Sequence, residues 1–159
     1  MTTNEFDSIK ILAILSDTHG LLRDLVTDAL QDVDLIIHAG DIGNRSLLQR
    51  LEEIAPVIAV RGNVDHELVY LPLAELVSVN GRLIYVLHDV SLLDLDPATA
   101  GLAMVVSGHS HRPRIHRQSG VLYVNPGSIG PRRFRLPISL AKVTFDRQEF
   151  KVRLVDFTE

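Results

Sequence analysis

The stretch Met104-Val105-Val106-Ser107-Gly108-His109-Ser110-His111 sets the fold. Its first three residues are an apolar run suited to a buried strand. A glycine then turns the chain, and two imidazoles follow two residues apart. In an open α/β sheet, ligands collect in the crevice beyond the carboxyl ends of the strands. A histidine pair held there suits a transition metal but cannot close a site alone. Acidic and amide partners occur upstream in Asp17-Thr18-His19, Gly40-Asp41, Gly62-Asn63 and His88. Singly, each is weak. Asp-x-His arises by chance, Gly-Asp and Gly-Asn are ordinary turn pairs, and a lone histidine is commonly a satisfied core residue. Together they are specific, because every one lies just past an apolar run. Five segments thus offer seven ligands: Asp17, His19, Asp41, Asn63, His88, His109 and His111.

Outward from that stretch, the first half of the chain repeats a βαβ pattern. Residues 10–15 form a continuous apolar run, as in a strand buried on both faces. Leu21, Leu22, Leu25, Val26, Ala29 and Leu30 have the spacing of one helix face. Residues 34–38 read as a second strand. Asn44 is placed to cap a helix whose apolar face is Leu47, Leu48, Leu51 and Ile54, ended by Pro56. Residues 57–60 form a third strand. Alternating strands and helices imply a parallel sheet. The style then changes. Residues 75–79 and 82–87 flank Asn80-Gly81, a two-residue hairpin signal. Asp96-Pro97 is placed to start a short helix ending near Gly101. Residues 114–117 and 121–124 flank a second hairpin at Ser119-Gly120, and 138–145 with 150–155 close the chain as an antiparallel pair. The pattern predicts an α/β fold of two mixed sheets packed face to face with helices outside. Residues 1–8 are expected to fray, leaving 9–159 as a single domain.

The chain has 159 residues, enough for one domain with a core, and is 46% hydrophobic and 23% charged. With no cysteine, disulfides, thiolate ligands and a cysteine nucleophile are excluded. The polar N-terminal stretch and the lack of a membrane-length apolar run predict a soluble, cytoplasmic protein. A net charge of −4 argues against bulk nucleic-acid binding. Positive charge is nevertheless clustered in Arg112, Arg114 and Arg117, and again in Arg132, Arg133 and Arg135. These are either solvated side chains or a local anion site.

Seven ligands exceed one tetrahedral ion and suit two ions sharing a carboxylate. Two-metal sites clamp the attacking and leaving oxygens of an in-line displacement and lower the pKa of a bridging water. That is chemistry for phosphate esters, whose transition state is stabilised mainly by positioned positive charge.

The order Asp-x-His, Gly-Asp, Gly-Asn, His, Gly-His-Ser-His resembles the calcineurin-like metallophosphoesterase superfamily. Within it, the short chain and the turn Asn125-Pro126-Gly127-Ser128, followed by Pro131-Arg132, are similar to the small YfcE-type phosphodiesterases. The resemblance spans residues 9–155. It implies a four-layer αββα sandwich with two divalent ions, manganese first among manganese, iron, zinc, cobalt and nickel. One ion would take Asp17, His19 and His111, the other Asn63, His88 and His109, and Asp41 would bridge. The implied activity is hydrolysis of a small phosphate diester by a metal-bridging hydroxide, with Asp41 in the catalytic centre and Asn63 also touching substrate. The alternatives are a phosphomonoesterase or a non-catalytic protein-interaction module on the same fold; a nuclease is disfavoured by the charge.

Three departures from the family pattern stand out. Val64 occupies the place after Gly-Asn where many members carry a leaving-group acid, which removes about 10²–10⁴-fold of acid assistance; His66 is the candidate substitute. Asp89 follows His88 where glycine is usual. No cap domain is added. His38 and His116 are expected to be structural. Arg132 and Arg133 are candidates to bind substrate phosphate or to hold a neighbouring subunit, and a homodimer is the default assembly.

Overall fold

A computed structural model describes residues 3–147 and 149–158. Its strands are β1 (Asn4–Phe6), β2 (Ile11–Leu15), β3 (Leu35–His38), β4 (Val57–Ala59), β5 (Ala74–Val79), β6 (Arg82–Leu87), β7 (Met104–Val106), β8 (Arg114–Gln118), β9 (Val121–Asn125), β10 (Ser139–Asp146) and β11 (Glu149–Asp156). Its α-helices are α1 (Asp24–Ala29) and α2 (Arg45–Glu52). One sheet has the order β1-β5-β6-β7-β9-β8 and the other β11-β10-β2-β3-β4, and both are mixed.

Alternation along each strand builds the layers, since successive side chains point to opposite faces. Leu12, Ile14, Leu35 and Ile37 of one sheet meet Ile84, Val86, Met104 and Val106 of the other in a buried inner core. The opposite faces of β2 and β3 offer Ala13, Leu15 and Ile36 to Val26, Leu47, Leu48 and Leu51 of the two helices. Asn44 caps α2 by accepting from the Leu47 amide at 2.8 Å, a bond worth about 1 kcal/mol. The outer face of the six-stranded sheet, with Tyr85, Leu87 and Val105, is covered more thinly. There the fourth layer is a 3₁₀ turn, Val90–Leu92, and the loop that follows it.

Three expectations are corrected. Residues 4–6 do not fray: β1 pairs in parallel with β5, Asn4 opposite Val77 and Phe6 opposite Val79. Met1 and Thr2 lie outside the described residues. Helix α1 starts at Asp24 because Gly20 and Leu21 are held in a loop, their amides bonding Ile42 and Thr18 carbonyls. The segment after Asp96 makes turns instead of a helix, although the Asp96 side chain accepts from Ala98 and Thr99 as a cap would. The short helical turn near it is Val90–Leu92, capped by Asp89 accepting from the Ser91 amide.

Strands β2, β3 and β4 run parallel in one sheet, and β6 and β7 run parallel in the other. Their carboxyl-end loops carry Asp17, Asp41 and Asn63 from the first sheet and His88 and His109 from the second. The seam between the sheets therefore gathers all the predicted ligand segments.

Candidate metal centre

Cross-strand loop bonds lock the seam. The Asp17 amide donates to Gly40, the His19 amide to Asp41 and the Gly108 amide to His88. Asp17, His19, Asp41, His109 and His111 have φ of 58°, 46°, 57°, 71° and 61°. Non-glycine residues rarely occupy this left-handed region, and such strain gathers at functional sites. Two glycines make the close approach possible. A Cβ on Gly108 would collide with Ser16 Oγ and Asp17, and one on Gly62 with the Asp41 carboxylate and amide.

Asp17 is fully buried. Its Oδ2 accepts from the Ser16 hydroxyl at 2.6 Å and the His109 amide at 3.1 Å. That leaves Oδ1 facing Nε2 of His111 at 3.2 Å, His19 at 3.7 Å and His88 at 3.9 Å. Asp41 Oδ2 lies 3.2 Å from His88 Nε2 and 3.7 Å from His19 Nε2, while Oδ1 accepts from the Val64 amide. The His88 Nδ1–H donates to the Ala39 carbonyl at 2.7 Å, which turns Nε2 inward. His109 is more exposed; its ring meets His88 edge-on at 5.2 Å and its Nε2 lies 3.8 Å from Asp89. Asn63 is exposed and lines, with His88 and Asp89, a cleft of about 480 Å³.

Burial opposes ionisation of Asp17, but the His111, His19 and Ser16 contacts outweigh it and hold the carboxyl well below the usual range. Burial likewise opposes ionisation of Asp41, and His88 reverses it, so its pKa is also lowered. For His88, burial disfavours the charged ring, yet Asp41 and Asp17 raise its pKa.

The fit to cations follows from orphaned atoms. Asp17 Oδ1, His19 Nε2, His88 Nε2 and His111 Nδ1 are buried without a hydrogen-bond partner. Burying so many unsatisfied polar atoms is costly unless something binds them. Among the described residues, two groups have ligand atoms close enough to hold an ion: Asp17, His19 and His111, and Asp17, Asp41 and His88. In this arrangement Asp17 belongs to both groups.

Other candidates fall elsewhere. His66 is exposed and lines neither group nor the cleft. Arg132 donates to Leu136 and Arg135 carbonyls of its own loop, and Arg133 is exposed. His38 is buried; its Nδ1 accepts from the Gly40 amide and its Nε2 meets Thr18 Oγ1, so it braces the loops. His116 stacks on Tyr123 at 5.0 Å. Three organising residues escape sequence reading. Asp65 accepts from the Gly43 and Gly62 amides, tying two ligand loops. Asn125 donates to the Gly108 carbonyl and Ser110 hydroxyl. Arg23 donates to the Ile129 and Gly130 carbonyls. Only Asp65, beside Gly62-Asn63, carried a local signal.

A carboxylate–imidazole centre between two sheets defines a metal-dependent hydrolase scaffold. Residues 11–148 match the calcineurin-like phosphoesterase superfamily domain, and the chain belongs to that family. It is 32% identical over 163 residues to probable metallophosphoesterase MJ0623 of Methanocaldococcus jannaschii, spanning 94% of this chain and 82% of that protein. A solved archaeal phosphodiesterase shares the fold with a TM-score of 0.78 at 21% identity, over 91% of this chain and 99% of that one. Vps29 of Chaetomium thermophilum does so with a TM-score of 0.76 at 17% identity, over 94% and 99%. The family is one of phosphoesterases that use divalent metal.

Proposed function

We propose that the protein is a phosphodiesterase that works with two divalent cations, manganese first among them. The convergence of orphaned Asp17 Oδ1, His19 Nε2 and His88 Nε2 carries this reading. Asp17, His19 and His111 would hold one cation, and Asn63, His88 and His109 the other, with Asp41 shared. When bound, such cations activate water and neutralise phosphate charge. The chain's own residues do the rest. Ser16 and the His109 amide fix the Asp17 carboxylate, Ala39 fixes the His88 tautomer, and Val64 fixes Asp41. Asp89, beside His109, places negative charge at the open side. It disfavours a dianionic monoester against a monoanionic diester. His66 is exposed outside both ligand groups and the cleft, so a leaving group that needs no proton donor suits this site best.

Vps29 proteins share the fold. Here every ligand position is filled by a ligating residue type, which favours catalysis over a protein-interaction role. The test is hydrolysis by metal-stripped protein given manganese, with an aryl diester followed beside its monoester. Diester turnover that needs manganese and vanishes in Asp41→Ala is expected. Full activity in His109→Ala overturns the assignment.

A further inference from the structure

The metal centre does not end at its ligands. The cleft of about 480 Å³ that begins at Asn63 and His88 runs outward over the thinly covered face of the six-stranded sheet. Its volume suits one small organic group. Leu73 and Leu92 form its mouth and are 65% and 73% exposed, while Tyr85 of β6 lines it at 9% exposure. Large apolar side chains exposed around a concavity beside reactive groups gain by being covered.

The charges in the cleft are sorted. Arg61, next to Gly62-Asn63, is its only cationic lining residue among the described residues. Asp89 and Asp94 are its carboxylates. Asp89 is fixed by the Ser91 amide at 3.0 Å and the Ser91 hydroxyl at 2.8 Å, both on Oδ1, which leaves Oδ2 toward His109 at 3.8 Å. Burial and the Asp94 charge both raise the Tyr85 phenol, so Tyr85 stays un-ionised at neutral pH. A group bearing a further negative charge would meet two carboxylates, the partly buried Asp89 and the exposed Asp94, and be repelled by both.

We infer that this cleft is the subsite for one esterifying group of the substrate, and that the group is uncharged and aromatic or apolar. The inference rests on the phosphodiesterase reading and narrows its substrate class to monoanionic diesters carrying such a group. Phosphate sits at the metal ligands beside Arg61, and the organic group lies between Tyr85 and the two leucines. Diesters extended by further phosphates or carboxylates on that side are excluded by Asp89 and Asp94.

Two measurements on the full, manganese-loaded chain test this. The first is calorimetric binding of two non-hydrolysable monoanions, benzyl(methyl)phosphinate and dimethylphosphinate. The benzyl probe should bind about tenfold or more tighter. Leu73→Asp and Leu92→Asp change exposed residues, so folding is retained. Each should erase most of that preference, weakening benzyl(methyl)phosphinate far more than dimethylphosphinate. The second compares manganese-dependent hydrolysis of methyl 4-nitrophenyl phosphate with that of its benzyl counterpart, in the same variants. The KM of the benzyl diester should rise more than that of the methyl diester. In the double variant Asp89→Asn, Asp94→Asn, a 4-carboxybenzyl diester should gain relative to benzyl. Equal affinity for the two phosphinates, or a preference untouched by Leu73→Asp and Leu92→Asp, overturns the subsite. If neither diester is turned over while the benzyl preference holds and falls in the variants, the subsite stands and the phosphodiesterase reading fails.

Discussion

The two outer faces of the sandwich are built differently. Over β2 and β3, α1 and α2 bury Val26 and Leu51 completely, and Leu47 and Leu48 almost so. Over β6 and β7 there is a 3₁₀ turn and an irregular loop, with Leu92 left 73% exposed. The helical face holds the strands whose loops carry Asp17, Asp41 and Asn63. The thin face holds those carrying His88 and His109, and it is open beside them. Stability and access are thus divided between the faces, with the candidate metal centre on the seam that both must keep in register.

Breaking the seam should have the largest effect. Asp17→Ala removes the buried carboxylate whose Oδ1 faces His111, His19 and His88. Loss of phosphoesterase activity should exceed the about 100-fold typical for losing an outer partner of a ligand. The rise in unfolding temperature that manganese gives the wild type, by binding the native state, should also disappear. An unchanged manganese shift would rule out Asp17 as a ligand. On the helical face, Leu51→Ala should cost about 2–5 kcal/mol in urea unfolding, through the cavity it leaves, with the metal shift retained.

A third test probes the brace between loops. Burial is the main influence on His38; it outweighs the nearby carboxylates and pushes the imidazole down to about 4, from the ordinary 6.5. Between those values the unfolded chain binds a proton that the folded chain refuses. The His38 contribution is therefore complete above about pH 6.5 and is lost as pH falls toward 4. Urea midpoints across that window should depend less on pH in His38→Gln than in the wild type; parallel curves would contradict a buried neutral ring. The smallest effect belongs to the thin face. Leu92→Ala should change stability by less than about 0.5 kcal/mol, and a larger loss would mean that this face is packed more tightly than its exposure shows.

These differences also explain what was legible in the sequence. β7 falls on Met104–Val106 as the apolar run predicts, and Asn80 and Gly81 adopt the positive φ values, 50° and 80°, that their hairpin demands. Asn44 caps α2 as read. Strong local chemistry survives folding unchanged. β1 was missed because three residues, mostly polar, have too little pattern, and only the edge of β5 makes them a strand. The turn at Val90–Leu92 was missed because it covers a face no helix claims. In the site, the candidate ligand segments are legible because each ends an apolar run. Asp65 and Asn125 were not, because their work is to bond the backbone of distant loops. For Arg132, proximity in sequence to a turn does not reveal that its guanidinium bonds the carbonyls of its own loop.

The strand orders have one further consequence. Neither sheet closes on itself, so β1, β8, β11 and β4 are left as borders. Unpaired borders invite strands of other molecules and are a route to aggregation. Here two borders, β1 and β4, are only three residues long. The two longer ones carry exposed charge along their length: Arg114 and Arg117 on β8, and Glu149, Lys151 and Arg153 on β11. Desolvating those ends against a second chain would be costly. Part of the arginine cluster beside the histidine pair thus lies on a border strand, where charge disfavours pairing with a second chain whatever its part in phosphate binding.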